Sequence, residues 1–147
     1  MTLCFIGLGS NLEHPLQQVE AAVVELRAVA NTQWLATSHW YSSKAVGPRQ
    51  QADYINGAVM LDTTLSPLGL LDQLQTIEQI HKRVRIEHWG PRTLDLDLLA
   101  FGDQLIENSR LSVPHPRIAE RNFVIYPLND LAPNLKLANG LVISNLY

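Results

Sequence analysis

The chain has 147 residues, 46% of them hydrophobic, and 11 Lys and Arg against 14 Asp and Glu give a formal net charge of -3. That length supports one core and is short for two ordinary domains, so residues 1–147 read as a single domain. The charge balance gives no general attraction to nucleic acid or to anionic membrane, and no apolar run reaches the roughly 20 residues that span a bilayer. The expectation is a cytoplasmic monomer with no nucleic-acid or membrane partner.

Taken in chain order, Met1 to Leu8 reads as a buried strand, with Cys4, the one cysteine, as a small core residue rather than a bridge or ligand. Gly9-Ser10-Asn11 then reads as a turn. Leu16, Val19, Ala22, Val23, Leu26 and Ala30 recur at helical spacing, which predicts an amphipathic helix from about Pro15 to Val29. Thr32 to Val46 reads as a second strand, Gly47 to Asp53 as a polar loop, and Tyr54 to Asp62 as a third strand. Ser66-Pro67 starts a second helix, with Ser as N-cap and Pro at the first helical position. On it Leu70, Leu71, Leu74 and Ile77 bury one side, and Gln75 and Glu78 lie on another. A basic run, Lys82, Arg83, Arg85, His88 and Arg92, leads into a fourth strand from Leu94 to Phe101. Gly102-Asp103 reads as a hairpin turn into Gln104 to Glu107, and Asn122 to Asp130 as a last helix.

The order strand, helix, strand, strand, helix, strand predicts an α+β fold, the ferredoxin-like antiparallel sheet flanked by helices. A doubly wound sheet competes and is disfavoured, because the second and third strands follow each other with no helix between them.

The most informative segment runs from His88 to Leu99, HWGPRTLDLDLL. On a strand, side chains two apart share a face, so Asp95 and Asp97 project together while Leu94, Leu96 and Leu98 point into a core. Two adjacent carboxylates repel each other unless a cation sits between them, and Mg²⁺ prefers a few carboxylate oxygens plus water and substrate phosphates. Arg92, after a Gly-Pro turn, offers a planar fork of donors for phosphate oxygens. The bland reading makes the pair the wet face of an amphipathic strand. Metal plus arginine points to a polyphosphate substrate. Gly7-Leu8-Gly9-Ser10-Asn11 lacks the Lys of a P-loop and the third Gly of a dinucleotide fingerprint, and is given no catalytic role. Tyr54 and Asn56 share a strand face, where a stacking surface lies beside an amide that both donates and accepts.

The whole string resembles the signature of the 6-hydroxymethyl-7,8-dihydropterin pyrophosphokinases, folate-pathway enzymes that move pyrophosphate from ATP to a pterin alcohol. The resemblance implies two Mg²⁺ ions on Asp95 and Asp97, with ATP as co-substrate. It implies catalytic roles for Arg83 and Arg92. A pterin pocket is implied at Tyr54, Asn56 and Phe123, completed by backbone near Ser43 and Val46. An ATP site is implied at Gln75, Glu78, Arg85, Trp89, Arg92, Leu98, Arg110, Ser112, His115 and Arg121. Ser43-Lys44-Ala45, His88 and Pro116 depart from the usual family pattern. Two other readings are a non-catalytic pterin or nucleotide binder and an unrelated Mg²⁺-dependent phosphohydrolase. The first has little use for a carboxylate pair that is costly to keep together, and the second leaves Tyr54, Asn56 and Phe123 without a role. AMP release from ATP that depends on the pterin separates all three.

Overall fold

The computed structural model describes residues 1–11, 14–43, 54–83 and 94–146. Its centre is β1 (Thr2–Ser10), flanked by β4 (Tyr54–Thr63) and β5 (Leu94–Phe101), both antiparallel to it. With β2 (Thr32–Thr37) outside β4, the sheet runs β2-β4-β1-β5, and β3 (Tyr41–Ser43) pairs the far end of β4. This is the ferredoxin-like order.

A strand covered on both faces must be apolar on both. On one face Cys4, Ile6, Leu8, Val59, Leu61, Leu94, Leu96 and Leu98 meet Val19, Ala22 and Leu26 of α1 (Pro15–Arg27) and Leu70, Leu74 and Ile77 of α2 (Pro67–Arg83). On the other, Phe5, Ala58, Leu99 and Ala100 meet Val124 and Leu128 of α3 (Asn122–Leu131) and Ile143 of α4 (Ile143–Leu146). Helix α2 begins as its sequence dictates. Ser66 Oγ accepts the Gly69 N–H at 3.0 Å, satisfying one of the donors that a helix start leaves free. His81 fastens α2 to α1, its ring nitrogens 2.8 Å from Gln18 Oε1 and 2.9 Å from Glu25 Oε1.

Four expectations change. Gly9 and Ser10 are not a turn but the end of β1, because β4 and β5 offer partners on both sides: Gly9 stands opposite Asn56 and Asp95. The single strand expected over 32–46 is two, since Ser38 leaves the ladder; its Oγ takes the Ala58 N–H at 2.9 Å and donates to the His39 carbonyl at 2.8 Å. Residues 44–46 of that expected strand lie outside the described residues. Gly102, at φ +56°, does turn the chain, but β6 (Ile106–Glu107) pairs with β7 (Ser112–Val113) rather than folding back on β5. The reason is local: Asn108 Oδ1 accepts the N–H groups of Arg110 and Leu111, closing a tight turn between β6 and β7. Helix α1 ends at Arg27, two residues early, where the Ala28 and Val29 N–H groups bond the Glu25 and Leu26 carbonyls.

Cys4 is fully buried, and burial, followed by the nearby Asp62 carboxylate, pushes its thiol up to about 12. It is a core residue, as its surroundings in the sequence suggested.

Gly57 lies under the Trp40 ring, so a Cβ there would collide with ring carbons Cε3 and Cζ3. Gly57→Ala is expected to destabilise the fold by about 1–3 kcal/mol, the usual cost of overpacking. Urea unfolding would measure it, and an unchanged midpoint would show that the ring moves aside freely.

Candidate active site

The site is assembled on the sheet face opposite α1 and α2. Strand β5 delivers Asp95 and Asp97 by alternation, with Leu94, Leu96 and Leu98 buried beneath. Asp95 stands opposite Gly9 and Asp97 opposite Gly7 on β1; beyond them on β4 stand Asn56 and Ala58. The row Asp95, Gly9, Asn56, Tyr41 therefore crosses four strands on one face.

Glycines form the floor between acids and amide. A Cβ on Gly9 would sit 2.9 Å from Asn56 Oδ1, so only a residue without one lets the Asn56 amide lie across β1. A Cβ on Gly7 would lie 3.3 Å from the Leu99 side chain, a tighter fit than most side chains make but short of a collision. In the sequence both glycines are weighed only as part of a possible nucleotide loop and given no catalytic role, so their place in the floor is missed. The available signal was their spacing: two apart on a strand, like the two aspartates.

Burial, the larger influence, pushes the Asp97 carboxyl above its ordinary range, and the Asp95 charge adds to the effect; His115 and Arg121 oppose it. His115 is pushed down, first by burial and then by Arg121 and Arg117, against the pull of Asp97. Asp95, His115 and Arg121 thus all lie within electrostatic reach of Asp97, and Arg121 within reach of His115. The His115 backbone N–H donates to the Leu99 carbonyl at 2.9 Å, and its Nδ1 accepts the Arg117 N–H at 3.3 Å. A neutral His115 with Nδ1 accepting carries its proton on Nε2 and is a donor there. Arg121 lies over the Phe123 ring, 5.6 Å from its centroid, a cation–π arrangement at the start of α3.

Other expected residues fall elsewhere. Arg110 Nη2 donates to Gln75 Oε1 at 3.1 Å and to Asp72 Oδ1 at 2.6 Å, which ties the β6–β7 turn to α2. Asp72, one helical turn before Gln75 on the same face of α2, had not been anticipated. Ser112 is exposed on β7 opposite Glu107. Leu98 is only 3% exposed, and its side chain packs with α1 and α2, so a nucleotide could meet its backbone alone. Glu78 was expected among the pocket residues; its Oε2 accepts the Leu96 N–H at 2.8 Å, on the outer edge of β5. Tyr54 and Ser43 face each other at the end of β3 and β4. Arg83 closes α2. Val46, Arg85, Trp89 and Arg92 lie outside the described residues.

The pKa of Asp97 has a consequence for stability. A carboxyl raised on folding binds its proton more tightly in the folded chain, so it costs stability as pH climbs from the unfolded value, near 3.8, through the folded one. Without metal, Asp97→Asn should raise the melting temperature at neutral pH, and the gain should vanish near pH 3. A gain equal at both pH values would mean that it comes from packing and not from charge.

Comparison with known proteins fits this arrangement. The family model described as 7,8-dihydro-6-hydroxymethylpterin-pyrophosphokinase (HPPK) matches residues 5–133. The 2-amino-4-hydroxy-6-hydroxymethyldihydropteridine pyrophosphokinase of Haemophilus influenzae is 46% identical over 146 residues, covering 99% of this chain and 91% of that protein. The enzyme of the same name from Pseudomonas aeruginosa is 49% identical over 136 residues, covering 92% and 84%. Among solved structures, Plasmodium falciparum HPPK-DHPS with SDX-DHP superposes with a TM-score of 0.74 at 16% identity, over all of this chain and 43% of that one. An HPPK-DHPS in complex with substrates gives 0.76 at 14% identity, over all of this chain and 45% of that one. This chain spans less than half of those two larger proteins, and at such identities they speak to fold alone. A family match across most of the chain, relatives near half identical over almost their full length, and the same α+β fold place this protein in the HPPK family of pterin pyrophosphokinases.

Proposed function

We propose that the chain transfers pyrophosphate from ATP to the hydroxyl of 6-hydroxymethyl-7,8-dihydropterin, a step of folate biosynthesis that leaves AMP and the pterin diphosphate. The observation that carries this reading is the acid pair of β5 set one bare glycine away from Asn56, with His115 and Arg121 beside it. Acid chemistry and a polar, flat-sided pocket thereby share one floor.

Asp95 and Asp97 are the residues that would hold Mg²⁺. The fit is one of charge: Asp97 sits above its ordinary range through burial and through Asp95, a mismatch that a cation between the two carboxylates relieves. Among the described residues no group of three or more His, Cys, Asp and Glu could enclose a metal. Two carboxylates suit Mg²⁺, which takes its remaining ligands from water and phosphates. When bound, two such ions supply charge neutralisation to the polyphosphate and acidify the attacking hydroxyl.

The chain's own groups do the rest. Asn56 offers a pterin edge both a donor and an acceptor, with Tyr54 and Phe123 as stacking surfaces. His115 Nε2–H donates to a phosphate oxygen. Arg121, held on the Phe123 face, sets a fixed positive charge between pterin and phosphate sites. Arg83 and Arg92 meet the charge that builds on the transferred group and on the leaving AMP. The remaining nucleotide contacts fall to Gln75, Arg85, Trp89, Arg110 and Ser112. No side chain is assigned as general base. Among the described residues no helix is long and apolar enough to cross a membrane.

A coupled assay of AMP release should show ATP turnover that requires both the pterin and Mg²⁺. Asp95→Ala should abolish it, and Arg92→Ala should cut it by roughly 10³ to 10⁵, with lysine a poor substitute because it lacks the planar fork. Near-normal turnover in Asp95→Ala would refute the metal role.

Phe123→Ala should weaken pterin binding by about 0.5–1.5 kcal/mol beyond the loss of buried area, while ATP affinity stays near wild type. Calorimetry with each ligand separately decides; equal losses for both would remove the case for a stacked pterin.

A further inference from the structure

Among the described residues strand β5 is the outermost on its side of the sheet, yet it carries the two carboxylates whose spacing the chemistry requires. An edge strand pairs on one side only, and along it the backbone groups of alternate residues face outward. Leu96, between the two aspartates, points its N–H outward, and Glu78 Oε2 accepts it at 2.8 Å. Glu78 is itself held firmly. Ile77, one residue before it, is buried in the core against the sheet, and His81, one turn later, lies between Gln18 and Glu25 of α1. One turn earlier, Gln75 is bonded to Arg110. The α2 side chain that reaches the acid strand thus stands on a helix anchored before and after it.

We propose that Glu78 is a positioning residue for the acid pair: its carboxylate fixes the Leu96 peptide and so sets the separation and orientation of Asp95 and Asp97, without touching nucleotide or metal. This rests on the assignment of those aspartates as the metal-holding pair. The bond needs an acceptor and not a charge, so glutamine, which keeps an oxygen at the same reach, is the discriminating substitution.

The test uses the full chain as wild type, Glu78→Gln and Glu78→Ala, read in two ways. Backbone hydrogen exchange by NMR without metal should show the Leu96 amide exchanging at least about tenfold faster in Glu78→Ala and close to wild type in Glu78→Gln. In the AMP-release assay the half-saturating Mg²⁺ concentration should rise about 10- to 100-fold in Glu78→Ala, the range for lost support of a metal ligand, and stay near wild type in Glu78→Gln. The pterin dissociation constant should be unchanged in both. Unchanged Leu96 protection in Glu78→Ala overturns the proposal. So does a Mg²⁺ requirement in Glu78→Gln that rises as far as in alanine, since that outcome means that the charge acts directly. The glutamine arm also stands alone if the alanine variant fails to fold. A wild-type protein with no Mg²⁺-dependent turnover would instead bring down the metal assignment, while the exchange data still judge the Glu78 bond.

Discussion

Two like charges held two residues apart on one face of a strand set the terms for the rest of this molecule. Left in open solvent the two would be of no consequence; with Asp97 partly buried and the exposed Asp95 beside it, the Asp97 carboxylate is disfavoured until something positive joins the pair. The surroundings concede that charge in stages. Beneath the pair, Leu94, Leu96 and Leu98 lock β5 into the core, so the carboxylates cannot swing apart by rolling the strand. At its sides stand His115 and Arg121, close enough to oppose the shift and too few to cancel it. Above it the glycines of β1 leave room.

That room explains how the acid pair of β5 and the Asn56 amide of β4 come to share one face. Side chains on β1 would wall Asp95 from Asn56. With Gly9 between them, an amide on β4 and a carboxylate on β5 share a floor across three strands of a sheet. The family reaction joins a flat heterocycle to a chain of phosphates, and in the proposed assignment the amide of β4 and the acids of β5 stand in that same order. Stiffness comes from the opposite wall: Asp130 at the end of α3 accepts from the Tyr41 hydroxyl at 2.7 Å and from the His39 N–H at 3.3 Å, binding the helix that carries Phe123 to the region of β3.

Much of this was legible in the sequence, and the reasons are periodic. Alternation in LDLDLL placed both the acids and their buried counterparts, helical spacing gave α1 and α2, and Ser66-Pro67 marked the start of α2 where the cap forms. What was not legible depended on partners distant in sequence. Gly9-Ser10 reads as a turn by local propensity, and only strands on both sides make it extended. Ser38 interrupts an otherwise continuous strand because of a bond to Ala58, twenty residues on. The chain after Gly102 pairs forward, to β7, because Asn108 closes a turn that short-range patterns left unmarked. Leu98 is instructive in another way: alternation put its side chain in the core and resemblance put it at the nucleotide, and the two agree only if its backbone makes the contact.

The bonds on the outer side of β5 have a consequence beyond the site. A sheet edge with exposed N–H and C=O groups is a template on which another chain can add a strand. Here Glu78 takes the Leu96 N–H and His115 gives its own N–H to the Leu99 carbonyl, so two backbone groups of that template are already used. The far edge is blunted differently, by a strand of six residues whose register slips between Trp34 and Ala36. Among the described residues both borders of the five-stranded sheet thus offer an incoming strand fewer free backbone groups than a regular edge would, and on the β5 side the bonds that occupy them also brace the acid strand.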